Sequence, residues 1–159
     1  LRVSFQSRMG RKPSFYNQLV TSTAAVFFDV DFTLIRPGRR FQGEGYADTC
    51  RKHGVTVSAE AFEAGVAEAA ALLEVVEQRY QDEVWVRYTA RIIDGMGGQG
   101  PGVLTAAREI YADWAEHRHF EMYDDVPATL RTLHARGLRI GLISNSHRPL
   151  DSFQEHFAL

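Results

Sequence analysis

The stretch Ala24-Ala25-Val26-Phe27-Phe28-Asp29-Val30-Asp31-Phe32-Thr33-Leu34 decides how the rest of the chain is read. It begins as a short apolar run rich in β-forming residues. That length favours a strand buried on both faces, as in parallel sheets. The run then ends in two acids separated by one residue, and the region past the carboxyl end of a parallel strand is where open α/β sheets place their ligands. Two anions that close repel one another, and a hard divalent cation held by oxygen ligands, most simply Mg²⁺, resolves the repulsion. The same pair could instead form a turn or cap a helix. A second apolar run, Leu138 to Ile143, closes in Ser144-Asn145-Ser146. Ser144 and Asn145 suit hydrogen bonding to an oxyanion, although Ser-Asn-Ser is also ordinary turn chemistry.

Between these two runs the pattern is helical. Phe62, Val66, Ala69, Leu73, Val76 and Tyr80 recur at spacings of three and four, laying an apolar stripe along a helix opened by Ser58. Trp85, Tyr88 and Ile92 resume that spacing after a break near Asp82, and Val103, Ala107, Ile110 and Trp114 form a third stripe behind Pro101. A shorter helix is expected near Gly45–His53, with a loop over Pro37–Gly45. After Tyr123, a helix marked by Val126, Leu130 and Leu133 ends at Gly137, and a last one starts at Pro149. The order is therefore strand, helical insert, helix, strand, helix. This is an α/β chain in which a partial Rossmann-like parallel-sheet core (residues 24–36 and 122–159) is interrupted by a helical bundle (37–121) and preceded by a tail (1–23).

The chain has 159 residues, of which 45% are hydrophobic and 24% charged, a globular composition. Its single Cys50 excludes an internal disulfide framework and a multi-cysteine zinc site. No apolar run approaches the ~20 residues needed to cross a bilayer, and no signal segment is visible, so the expectation is a cytoplasmic protein without membrane partners. Four basic groups and no acids lie in residues 1–28, while residues 29–159 carry a balance of −6. A negative body is a poor match for nucleic acid, where neutralised phosphates supply most of the affinity.

Taken together, these residues resemble the haloacid dehalogenase-like hydrolases. Asp29-Val30-Asp31-Phe32-Thr33-Leu34 is similar to the family's first motif, Asp-x-Asp-x-Thr after an apolar strand, and Leu142-Ile143-Ser144-Asn145-Ser146 to its second. The 88 residues from Arg36 to Tyr123 match the size and helicity of the family's inserted cap. The resemblance implies a Mg²⁺-dependent phosphatase acting on a small phosphorylated metabolite. In it Asp29 is the nucleophile that becomes an aspartyl-phosphate, and Asp31 the general acid and base. It also implies that Mg²⁺ binds a carboxylate oxygen of Asp29 and the backbone carbonyl of Asp31. Ser144 would hold a phosphoryl oxygen with Asn145 nearby, and Thr33 would tie down the turn. A phosphomutase of the same family, and a binding or regulatory module without turnover, are the alternatives.

Two departures from the family pattern stand out. Phe32 occupies a position that is often Gly, which a turn in the helical region would accommodate. The family's third motif, a Lys or Arg, and its fourth, an acidic pair, should follow Ser144. The remaining fifteen residues contain no Lys, and Asp151 and Glu155 read as a solvated helix face. The expectation is a C-terminally truncated phosphatase with weak or absent turnover, open to self-association through an unpaired sheet edge. Other candidates are set aside. Gly95-Met96-Gly97-Gly98-Gln99-Gly100 fits a dinucleotide fingerprint but follows a helix rather than a strand. His117 and His119 read as a solvated connector, His147 and Arg148 as first-turn surface residues, and Cys50 as a buried small side chain.

Overall fold

In the computed structural model, which describes residues 23–75, 81–146 and 148–159, ten elements follow one another: β1 (Ala25–Asp29), β2 (Ile35–Pro37), α1 (Gly43–Lys52), α2 (Phe62–Val75), α3 (Asp82–Gly95), α4 (Gly102–Asp113), β3 (Phe120–Met122), α5 (Val126–Ala135), β4 (Arg139–Ile143) and α6 (Leu150–Phe157). Single 3₁₀ turns lie at Arg39–Phe41, Ala59–Ala61 and His117–His119. The basic residues of the tail, Val76 and Tyr80 of the first stripe, and His147 fall outside the described residues.

β1 and β4 pair in parallel, Ala25 opposite Arg139 through Asp29 opposite Ile143. The intervening helices therefore make a long crossover, as the alternation of apolar runs and helical stripes requires. The strands are not buried on both faces as expected. Phe28, Ile140 and Leu142 pack against the core, whereas Phe27 is 64% and Ile143 60% exposed. An alternating strand with one bare apolar face reads, from sequence, like a strand covered on two sides. Among the described residues β1 pairs with β4 alone.

A second pair, antiparallel β2 and β3, joins Ile35 to Met122, Arg36 to Glu121 and Pro37 to Phe120. It forms a stem where the chain leaves for the helical insert and returns. Three-residue strands are too short to display a period, so this stem is invisible in the sequence. The expected loop over Pro37–Gly45 is instead the end of β2, a 3₁₀ turn and the start of α1. Above the stem, Phe41 stacks on Trp114 with ring centroids 4.4 Å apart, and both rings contact Phe120 at 5.2 and 5.3 Å. One buried apolar cluster runs through insert and core alike, from Ile93 and Ile110 to Ile35 and Phe153.

Polar groups clamp the insert. Arg40 donates from Nε to Asp113 Oδ2 at 2.5 Å, from Nη2 to Glu109 at 3.1 Å, and from Nη1 to Thr49. Glu109 also receives Lys52 and His53. α3 runs through Gly95, so the glycine-rich segment follows a helix as expected. Cys50 is fully buried, and burial pushes its thiol up to about 11, which suits a packing role. His117, expected in a solvated connector, is 8% exposed. Its Nε2 meets the Pro149 carbonyl at 3.3 Å and Ser152 Oγ at 3.0 Å, and its ring packs edge-on to Phe153. A histidine between charged neighbours looks like surface in sequence; only the approach of α6 buries it.

Candidate active site

β1 delivers Asp29 to the carboxyl edge of the sheet, and the next five residues close a tight turn. The Val30 carbonyl accepts the amides of Thr33 (3.3 Å), Leu34 (2.9 Å) and Ile35 (3.2 Å), while Phe32 N–H donates to Ile35 O at 2.8 Å. To make that turn Phe32 adopts φ +61°, the left-handed region rather than the right-handed one expected. For an L-residue this costs about 1–2 kcal/mol, a cost that glycine would not carry. Thr33 Oγ1 donates to Asp29 Oδ2 at 3.4 Å, and Leu34 O accepts Tyr123 N–H at 3.1 Å, fastening the turn to the stem.

The two acids end in different surroundings. Asp29 is exposed. The side chain of Asp31 is 19% exposed, and its Oδ1 is paired with Arg148 Nη2. Arg148 is not a surface residue: its side chain is only 6% exposed. The guanidinium lies 4.1 Å from the centroid of the Phe120 ring, and Nη1 donates to the Trp114 carbonyl at 2.5 Å. Burial pushes its pKa below the ordinary arginine value, and Asp31 opposes that shift. Asp31 thus has one oxygen committed to the buried cation and, among the described residues, one uncommitted.

Because Asp29 is opposite Ile143 in the register, Ser144 begins one residue further along the neighbouring strand, at the same end of the sheet. Ser144 Oγ accepts Ser146 N–H at 3.0 Å, and Ser146 Oγ accepts Arg148 N–H at 3.3 Å. These two serine turns carry the chain from β4 to the buried arginine. Ser144 is half-buried and Asn145 exposed. Asp151 and Glu155 are exposed on α6, as expected. A small cavity of about 110 Å³ beneath the turn is lined by Phe28, Thr33, Leu34, Val126, Thr129 and neighbours, without either site aspartate.

The donor chemistry fits a hard divalent cation in part. The exposed Asp29 carboxylate and the backbone carbonyl of Asp31 are oxygen donors of the right kind, whereas the Asp31 carboxylate is engaged by Arg148. Among the described residues no three His, Cys, Asp or Glu side chains cluster as a metal site.

Strand-end aspartates on a parallel pair, with helices running between the two strands, make an α/β protein whose acids lie at the carboxyl edge of its sheet. The haloacid dehalogenase-like hydrolase model matches residues 23–157, and the chain belongs to that family. It is 29% identical over 144 residues to the human protein named haloacid dehalogenase-like hydrolase domain-containing protein 3, a match covering 82% of this chain and 57% of that protein. The chain thus spans somewhat over half the length of that relative. A crystal structure described as a predicted phosphoglycolate phosphatase from Haemophilus somnus 129PT aligns with a TM-score of 0.47 at 13% identity, covering 87% of this chain and 58% of that one. Among the described residues no helix is long and apolar enough to cross a membrane.

Proposed function

We propose that this hydrolase is a Mg²⁺-dependent phosphatase acting on a small phosphorylated metabolite through an aspartyl-phosphate. The observation that carries the reading is the strand register, which sets exposed Asp29 and half-buried Ser144 at one sheet edge. An Oδ atom of Asp29 attacks phosphorus and the ester P–O bond breaks, its leaving oxygen taking a proton from Asp31. Water then attacks phosphorus, the Asp29–phosphorus bond breaks, Asp31 accepts the water proton, and inorganic phosphate departs. Ser144 Oγ and Asn145 hold phosphoryl oxygens during both displacements. Mg²⁺, held by the Asp29 carboxylate and the Asp31 backbone carbonyl, would offset the negative charge gathered on the phosphoryl group.

The test is hydrolysis of p-nitrophenyl phosphate with Mg²⁺ and with EDTA. Slow, Mg²⁺-dependent release of p-nitrophenolate, an acid-trapped phosphoenzyme cleaved by hydroxylamine, and loss of both in Asp29→Asn are expected. Turnover indifferent to Asp29→Asn would refute the assignment.

A further inference from the structure

Arg148 is a buried cation beside the site, and three different parts of the fold hold it. Asp31 comes from the turn after β1, the Trp114 carbonyl from the end of α4, and the Phe120 ring from β3 of the stem. Its Nε, also buried, has no partner among the described residues. Burying a guanidinium with one donor unpaired is costly, and the pairing with Asp31 is the main compensation. A planar fork with a ring beneath it and a carbonyl at one tip has little freedom left to rotate. One carboxylate oxygen of Asp31 is therefore fixed, and the other is aimed by it.

We infer that Arg148 is a positioning residue for Asp31 in the second half of the reaction, and that the end of α4 and the stem set its position through Trp114 and Phe120. This rests on the phosphatase reading above. When water attacks phosphorus, the Asp29 oxygen leaves as a carboxylate and the water proton passes to the free oxygen of Asp31. Arg148 itself neither gains nor loses a proton. Without it the Asp31 carboxylate swings between rotamers, and the intermediate accumulates because its hydrolysis slows. Transfer to Asp29 from p-nitrophenyl phosphate, whose leaving group departs without a proton, is spared.

The experiment uses the whole chain with p-nitrophenyl phosphate and Mg²⁺, comparing the unaltered protein with Arg148→Gln, Arg148→Lys, Asp31→Asn and the Arg148→Gln/Asp31→Asn double variant. Arg148→Gln should lower kcat and KM together ~10–100-fold, leave kcat/KM within ~3-fold, and raise the acid-trapped phosphoenzyme fraction. In the Asp31→Asn background the same change should cost less than ~3-fold. Arg148→Lys, which keeps the charge and the fold but loses the fork, should recover part of kcat. Equal losses in both backgrounds, or a fall in trapped phosphoenzyme, would overturn the inference while leaving the phosphatase reading in place. Full turnover by Asp29→Asn would remove the phosphatase reading and this role with it. The contact has its own readout: the slowly exchanging Arg148 Nη2–H signal in ¹⁵N spectra should be lost in Asp31→Ala while the Nη1–H signal held by the Trp114 carbonyl stays, and an unchanged Nη2–H signal there overturns the inference whatever the kinetics.

Discussion

Gly95 meets Gly65 backbone to backbone: a Cβ built on Gly95 would lie 2.6 Å from the Gly65 Cα, and one on Gly65 would lie 2.7 Å from the Ile92 carbonyl oxygen. The obstructing atoms are main chain and cannot rotate away, so α2 and α3 can approach this closely only with both glycines. Gly65→Ala should lower the denaturation midpoint by the equivalent of about 1–3 kcal/mol, with the denaturant dependence unchanged. An unaltered midpoint would show that the helices separate at little cost.

Glu109 gathers the clamp between α1 and α4. The hydrogen bond from His53, aided by Lys52 and Arg40, holds its carboxyl down to about 2. A carboxyl whose folded value lies below its unfolded value stabilises the fold above the unfolded value, and that contribution is lost as pH falls towards 2. Glu109→Gln should therefore flatten the fall of melting temperature between about pH 5 and pH 2. The effect should be modest, because Glu109 is partly exposed and salt screens it.

His117 acts in a higher pH range. Burial pushes its imidazole below the ordinary value, and the nearby Arg148 and His156 act in the same direction against the Pro149 carbonyl. Among the described residues its buried Nδ1 has no acceptor for a second proton. The unfolded chain then binds more protons as pH drops below about 6.5, so stability falls with acidification through that range. Thermal melts at about pH 7.5 and pH 5.5 should differ less in His117→Gln than in the unaltered chain.

Phe32 sits in the left-handed region with its ring 66% exposed. Phe32→Gly removes that backbone cost but frees the unfolded chain, two effects of about 1 kcal/mol and opposite sign. Chemical denaturation should find Phe32→Gly within about 1 kcal/mol of the unaltered protein and Phe32→Val clearly less stable, because a β-branched side chain tolerates this φ worst.

Phe27 and Ile143 form the bare apolar face of the parallel pair. Exposed apolar surface beside an open strand edge favours association. Sedimentation velocity should show concentration-dependent self-association that Phe27→Ser with Ile143→Ser reduces, with stability nearly unchanged. A monomer at all concentrations would show that this face does not drive contact.

Local patterns in the chain already determined much of this protein. The two apolar runs, the three- and four-residue stripes, the terminator Gly137 and the helix start at Pro149 correspond to strands and helices because each depends on neighbours a few residues away. Asp29, Asp31 and Ser144 could be singled out because they follow directly on those strands. Arg148, the stem and the burial of His117 could not, since each arises from contacts spanning 32 to 117 residues. A lone arginine after a strand looks like any surface cation. Only when Trp114, Phe120 and Asp31 converge around it does desolvation turn it into a buried partner of the acid. The left-handed turn at Phe32 likewise depends on Val30 and Ile35 closing across it, a constraint that no composition or period records.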